Sequence, residues 1–372
     1  MVWVSSQTRL AYGQEATFGT AATTDRFLGI TNANADLPDK AVDVKEYNSF
    51  GAGRRRYKSK EGREEYGPAT LDILPTTGEF FWYVFGTETF ESSNNTPSGV
   101  ENAHTLMPDD KGPTPPGTTT SQATKLPSFT LKAPLEGNPD FLRTFTGCTV
   151  EEATVSISEG GELQVSTSFR AKEVQDHDDA NPTLPSQPEP GDAANPNDPG
   201  NPYMFYDRAA NIQMMGSFDY SSPSYDQDDL GINLGSDGRT IAHVNSFNWS
   251  IRNGLKPQFF THSGDAQKVK FFTTSQPEYS LSMDVVPAAH LASEDSNATY
   301  DLLEDGVQGD ILIPFQRADG SDELHFVFQD CHIQASPHPW NETGDEVVTS
   351  VDVVPHEIRV ISLDTQSAYN SL

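Results

Sequence analysis

The sequence predicts a mainly β fold, built as two tandem copies with one α-helix each. Three observations carry this. Apolar and polar residues alternate with period two in many short runs. Turn clusters rich in Gly and Pro, 28 and 26 of 372 residues, separate the runs. The order of apolar blocks in the first half also returns in the second. In the first half, residues 69–74 run into Pro75 and an apolar segment, followed by residues 126–131, residues 146–150 and a hairpin pattern. In the second half, residues 280–286 run into Pro287, followed by residues 311–315, residues 329–333 and another paired-strand pattern. Leu71, Phe129 and Cys148 thereby stand against Leu281, Phe315 and Cys331. The first copy carries a longer loop, residues 87–124, and longer loops cost little extra closure entropy. The expected division is 1–175 for the first unit, with its insertion at 87–124, then 176–202 as linker or flap, and 203–372 for the second unit.

The elements follow in order. Thr76-Thr-Gly-Glu79 has the form of a capping box ahead of Phe80-Phe-Trp-Tyr-Val-Phe85, with Gly86 as the stop. A helix apolar on every side must be buried. Residues 87–124, rich in Thr, Pro, Asn and Gly, read as irregular. Val155 and Ile157 alternate with serines, Glu159-Gly-Gly-Glu162 reads as a tight turn, and Leu163, Val165, Thr167 and Phe169 alternate on the return. Cys148 and Val150 are out of phase with Val155 and Ile157, which predicts a bulge near residues 151–153. Residues 176–202 hold seven prolines and many Asp and Asn, too few apolar groups to offset ordering entropy. In the second half, Phe247, Trp249 and Ile251 alternate, as do Val347, Thr349, Val351 and Val353. Residues 296–305, stopped by Gly306, read as the second helix.

Charge narrows the function. There are 54 acids against 24 bases, a net charge of −30, and only 11 lysines. Self-repulsion on this scale opposes compaction at low salt and is screened at molar salt, where the Debye length is about 3 Å. The composition therefore reads as salt-adapted. It excludes binding nucleic acid by phosphate neutralisation, which needs Lys and Arg, yet it lets DNA pass without sticking. Cys148 and Cys331, in separate units, read as small buried hydrophobes and not as a disulfide. The N-terminus lacks the pattern of a secretory signal, and no apolar run is long enough for a membrane span.

Little reads as chemistry. Asp226-Gln-Asp-Asp-Leu-Gly231 has calcium-loop character at its start, but Leu holds the fifth position and no Glu the twelfth, so an acidic surface loop is the better reading. His325, His332 and His338 are too loosely spaced for a zinc motif. There is no G-x-S-x-G elbow, and nothing selects one carboxylate pair from 54 acids. No catalytic residue, cofactor or metal is expected. Asn248, Asn297 and Asn341 open glycosylation sequons, a pattern common by chance. The one dense basic run is Arg54, Arg55, Arg56, Lys58 and Lys60. In so acidic a chain it suits an acidic face of a neighbouring subunit. A solvated loop and a DNA contact are the alternatives.

The ordered set of motifs resembles one family. Gln14-Glu-Ala-Thr-Phe-Gly-Thr20 is similar to the opening motif of tail tube proteins of long-tailed, siphovirus-like viruses. A basic, Gly-containing loop, Leu126-Pro-Ser-Phe-Thr, Thr146-Gly-Cys-Thr-Val150, the Gly-Gly hairpin, residues 247–253 and a closing strand near 358–363 follow in that family's order. Residues 87–124 and 176–202 depart from the pattern. With the salt-adapted composition, the resemblance is to viruses infecting halophilic archaea. It implies tail-tube-like sandwiches whose long strands join those of neighbours into a closed inner β-barrel, in rings stacked as a tube for genomic DNA. Single-domain members form hexameric rings and some tandem members trimers with pseudo-sixfold symmetry, so a trimer is expected and a hexamer is the alternative. The implied partners are the chain itself, tape measure and tail terminator or tip proteins, and viral DNA held transiently and non-specifically, with no membrane. The implied location is the virion tail, after assembly in the host cytoplasm. Lumen-facing candidates are Glu151, Glu152, Ser156, Ser158, Gln164 and Ser166, and the Arg54–Lys60 loop would reach the next ring. The competing classes are a β-sandwich adhesin, surface-layer or fibre-type binding module, and a β-sandwich hydrolase with no visible site.

Overall fold

A computed structural model describes residues 10–23, 26–27, 35–47, 58–92, 102–108, 126–135, 141–177, 202–207, 212–218, 239–241, 244–260, 267–286, 306–316, 322–335 and 348–369. The first half contains β1 (Ala11–Gln14), β2 (Arg26–Phe27), β3 (Ala35–Asp36), β4 (Lys40–Tyr47), β5 (Lys58–Ile73), helix α1 (Glu79–Phe85), β6 (Gly86–Glu91), β7 (Asn102–Pro108), β8 (Phe129–Leu135), β9 (Phe141–Ser158), β10 (Gln164–Ala171) and β11 (Glu173–His177). The second contains β12 (Ile212–Gly216), β13 (Arg239–Ile241), β14 (Val244–Arg252), β15 (Lys256–Gln258), β16 (Phe271–Thr273), β17 (Glu278–Val285), β18 (Gln308–Gln316), β19 (Glu323–Ala335), β20 (Thr349–Val354) and β21 (Glu357–Asp364). The fold is mainly β, as expected, and every pairing is antiparallel.

Apart from the separate β15–β16 pair, the strands form two layers around the main apolar core. The first layer runs β4–β5–β10–β9–β14–β17–β20 and ends on the last residues of β19, with β3 beside β5. The second layer has two parts, β2–β1–β8–β9–β11 and β13–β12–β18–β19–β21–β7–β6. The long strands β9 and β19 belong to both layers. Alternation explains the arrangement: Val155, Val165, Trp249 and Leu281 point inward while their neighbours on the same strands do not. Ring pairs Phe247–Phe315 at 6.0 Å and Trp249–Phe326 at 5.2 Å join the layers. Each such fully buried side chain contributes about 1.5–3 kcal/mol.

The pairing pattern of the first half recurs in the second with the same registers. Phe129 opposes Cys148 and Leu131 opposes Phe145 across one bulge; Gly309 opposes Cys331 and Ile311 opposes Phe328 across another. Phe169 lies between Val150 and Ala69, as Val353 lies between Ile333 and Leu281. Leu71 therefore corresponds to Met283, and Phe129 to Gly309, a shift from the match made on sequence; Cys148 and Cys331 keep their correspondence. The bulge predicted near 151–153 falls at Glu151, where Ser168 opposes Glu152 and Phe169 opposes Val150.

Helix α1 is buried at all seven positions. It sits where the halves meet: Phe81 stacks on Trp249 at 6.0 Å and Phe80 lies 6.2 Å from Phe129. Gly86 stops it with φ 90, its N–H reaching the Trp82 carbonyl. The capping box does not form. Gly78 is the N-cap, its N–H donates to Ser362 Oγ at 3.0 Å, and Glu79 accepts from the Tyr12 hydroxyl at 3.1 Å. One local bond remains, the Glu79 N–H donating to Thr77 Oγ1 at 3.3 Å, and the tertiary partners supply the rest. The 87–124 segment is not irregular throughout: β6 and β7 form a hairpin, and β7 pairs with β21 near the end of the chain. Residues 296–305, the proposed second helix, lie outside the described residues, as do residues 178–201 of the Pro-rich segment; Asp176 and His177 belong to β11.

Candidate assembly surfaces

The layer β5–β10–β9–β14–β17–β20 buries one face and leaves the other mostly polar, with short side chains in its central rows and Val354 exposed at the β20 end. Its cross-strand rows continue from one half into the other. One row is Asp72, Ser166, Thr154, Ser250 and Ser280; a second is Gln164, Ser156, Asn248, Ser282 and Asp352. A groove of about 550 Å³ lies on this face, lined by Thr154, Asn248, Ser250, Ser280, Ser282 and Asp352 among others. The Ser250 and Ser280 hydroxyls are 2.8 Å apart, and Ser246 Oγ donates to Asp284 at 2.7 Å.

Two cations elsewhere on this face stand against acids. Arg252 is directly opposite Glu152 on one side and Glu278 on the other. Arg170 Nε donates to Glu151 at 2.7 Å, and its Nη1 lies 3.7 Å from Glu65. A phosphate backbone approaching this face meets hydroxyls, amides and carboxylates, and cations already balanced by acids, so it finds little to hold it.

All six lumen candidates named from sequence lie on β9, β10 or the bulge between them, in strand positions that alternate with the buried residues. Ser158, Gln164 and Ser166 are exposed; Glu151, Glu152 and Ser156 are half-buried. Sequence reasoning missed the contribution of the second half. Its signal was the alternation in Ser246-Phe-Asn-Trp-Ser-Ile251 and Ser280-Leu-Ser-Met-Asp284.

A second surface is the outer part of the β4–β5 ribbon. From Ala41 to Tyr47 it is exposed or half-buried throughout, with Val44 and Tyr47 about half exposed. Its partner strand begins with the exposed Lys58 and Lys60; Arg54, Arg55 and Arg56 lie outside the described residues. A ribbon of two strands with little packed on either face is marginal on its own. Its base is anchored by Lys40–Glu64 at 3.0 Å, by the Glu64 N–H on the Gln267 carbonyl at 2.8 Å, and by Arg63 over the Phe259 ring at 4.8 Å.

Chemistry-bearing groups elsewhere are absorbed by the fold. His325 is buried against Glu323 at 2.7 Å, His332 is exposed, and His338 and the Asp226 loop lie outside the described residues. Cys148 and Cys331 are free and buried. Burial pushes both thiols up, aided by Glu15 for Cys148 and by Asp310 and Asp330 for Cys331. Among the described residues no cluster of His, Cys, Asp and Glu could hold a metal ion, and no helix is long and apolar enough to cross a membrane.

Comparison with known proteins agrees with this architecture. None of the curated proteins matches the chain. A family model described as phage tail tube protein matches residues 5–354, nearly the whole sequence. With that match on a mainly β antiparallel fold, the chain belongs to the phage tail tube protein family, as a structural protein of the virion tail.

Proposed function

We propose that the protein polymerises as stacked rings into the tail tube, with the polar face of the β5–β10–β9–β14–β17–β20 layer turned to the lumen and genomic DNA passing along it. The observation that carries this is the continuity of short polar rows across both halves, with acids set against Arg170 and Arg252. In this reading residues 1–175 and 203–372 are two tube units, and the ring is a trimer with pseudo-sixfold symmetry; six chains per ring is the alternative. Arg54, Arg55 and Arg56, together with Lys58 and Lys60 of β5, reach the adjoining ring, where acidic faces are plentiful. Tape measure and tail terminator or tip proteins meet the tube inside and at its ends. The chain works without catalysis. The charge of −30 supports assembly in strong salt, in a virus of a halophilic archaeon.

Negative-stain microscopy of the purified protein across a salt series tests this. Rings or tubes that grow as salt rises are expected. Monomers at every concentration, with affinity for glycans, would instead mark a surface-binding module.

A further inference from the structure

We infer that residues 365–369 form a proton-controlled latch: His104, protonated on both ring nitrogens, holds Tyr369 in the core, and loss of one proton releases the chain end while the strands beneath it stay paired.

The latch closes over a joint between the two halves. In the first layer the halves meet where β9 pairs with β14. In the second they meet where β7 pairs with β21, from Leu106–Val360 to Asn102–Asp364. His104 lies in the middle of this second joint, opposite Phe90 of β6 on one side and Ser362 of β21 on the other. Each ring nitrogen faces a carboxylate from a neighbouring strand. Nδ1 lies 2.8 Å from Glu88 of β6, and Nε2 lies 3.1 Å from Asp364 of β21. The three side chains are at most 2% exposed. An imidazolium donates to both carboxylates. A neutral imidazole donates from one nitrogen and turns a lone pair toward a carboxylate at the other, with no bulk solvent to relieve the contact.

The contacts that hold Tyr369 converge on this group. Its N–H donates to Glu88 at 2.8 Å, its hydroxyl bonds Asp364, and its ring stacks on His104 at 3.9 Å with 8° between the planes. A charged ring adds cation–π attraction to that stack, which a neutral one lacks. The preceding residues hang from the same acid: the Gln366 N–H donates to Asp364 at 2.8 Å, and its carbonyl accepts from Asn102 Nδ2 at 2.6 Å. From α1, Glu79 faces the phenol while accepting from the Tyr12 hydroxyl, and Ser362 lies beside the phenol too. Burial, with Asp364 and then Glu79, pushes the phenol up. Burial opposes the charge on His104, but Asp364 and Glu88 lift it to about 9, so His104 loses its proton before Tyr369 does. The latch is therefore fully closed below about pH 6.5 and opens as pH climbs through about 9.

Hydrogen exchange of the full chain tests this, read by mass spectrometry at pH 7 and pH 10 in one fixed salt and corrected for the intrinsic rate. Protection of the 365–372 peptide should fall about tenfold or more, while that of the 357–363 peptide of β21 stays within about twofold. In His104→Gln, a neutral side chain, the 365–372 peptide should be open at both pH values. Unchanged protection of 365–372 in the wild-type chain overturns the proton control. An equal loss in both peptides overturns the latch, because the sheet then opens with it. A pH difference that survives in His104→Gln overturns His104 as the controlling group. The two wild-type peptides decide the latch even where the variant does not fold.

Discussion

Glu15 shows what a single residue of a family motif does. Its buried carboxylate accepts four hydrogen bonds: from the Gly19 N–H at 2.7 Å, the Gly147 N–H at 2.8 Å, Ser128 Oγ at 2.7 Å and Thr130 Oγ1 at 2.9 Å. The motif was legible in the sequence, but its reason was not, because three of the four donors lie more than 100 residues away. The second half meets the same need differently. Asp310, at the position matching Thr130, accepts from the N–H groups of Phe218 and Asp330. Glu15→Gln should cost about 2–4 kcal/mol in a urea melt at fixed salt, since an amide cannot accept all four donors. A loss under about 0.5 kcal/mol would show the network to be dispensable. A second buried cluster ties β7 to the chain's end. His104 Nδ1 lies 2.8 Å from Glu88, and its Nε2 makes an ionic approach of 3.1 Å to Asp364. Its ring stacks on Tyr369, whose hydroxyl bonds Asp364. Burial alone would push the imidazolium down, but the carboxylates of Asp364 and Glu88 outweigh it and lift His104 to about 9. Burial works against the Asp364 carboxylate too, and His104 holds it below its usual range. A raised histidine stabilises fully below its unfolded value near 6.5 and loses that contribution as pH climbs through about 9. Stability should therefore fall by up to about 3 kcal/mol between pH 6.5 and 9.5. His104→Phe should lower the plateau and flatten this slope; an unchanged slope would assign the pH dependence elsewhere.

At the scale of elements, the paired bulges are the most informative. Gly147 in β9 and Asp330 in β19 occupy matching places, with φ of 65 and 46. Only the first is glycine. A Cβ at Gly147 would meet Lys172 Cβ at 2.6 Å and Phe18 at 3.2 Å, so Gly147→Ala combines strain with a clash. It should destabilise by about 2 kcal/mol, whereas Asp330→Gly should be neutral or stabilise by up to about 1 kcal/mol. Thermal melts of both variants compare the two sites, and equal losses would mean that the bulges are not equivalent. The bulge at Glu151 was legible because it changes the phase of a long alternating strand. The β6–β7 hairpin was not: Thr87-Glu-Thr-Phe-Glu91 shows only weak polar alternation, and what stabilises β7 is β21, from the far end of the sequence. The cap of α1 was misread for the same reason, as Ser362 reaches Gly78 across the fold.

For the whole molecule, one sheet crossing both halves is the central fact. A recurring order of apolar blocks was visible in the sequence, while the matching registers of the two halves emerged only from the ladders, because neighbouring alternating strands offer several matches two residues apart. The polar face was half legible: β9 and β10 were found, and their continuation through β14, β17 and β20 depends on the seam that sequence does not state. The most direct measurement is cryo-electron microscopy of assembled tubes, at a resolution that traces strands. It should show three chains per ring, with Ser156, Ser166, Asn248, Ser250 and Ser282 around an open channel. Tubes lined by any other face, or particles with no channel, would contradict it.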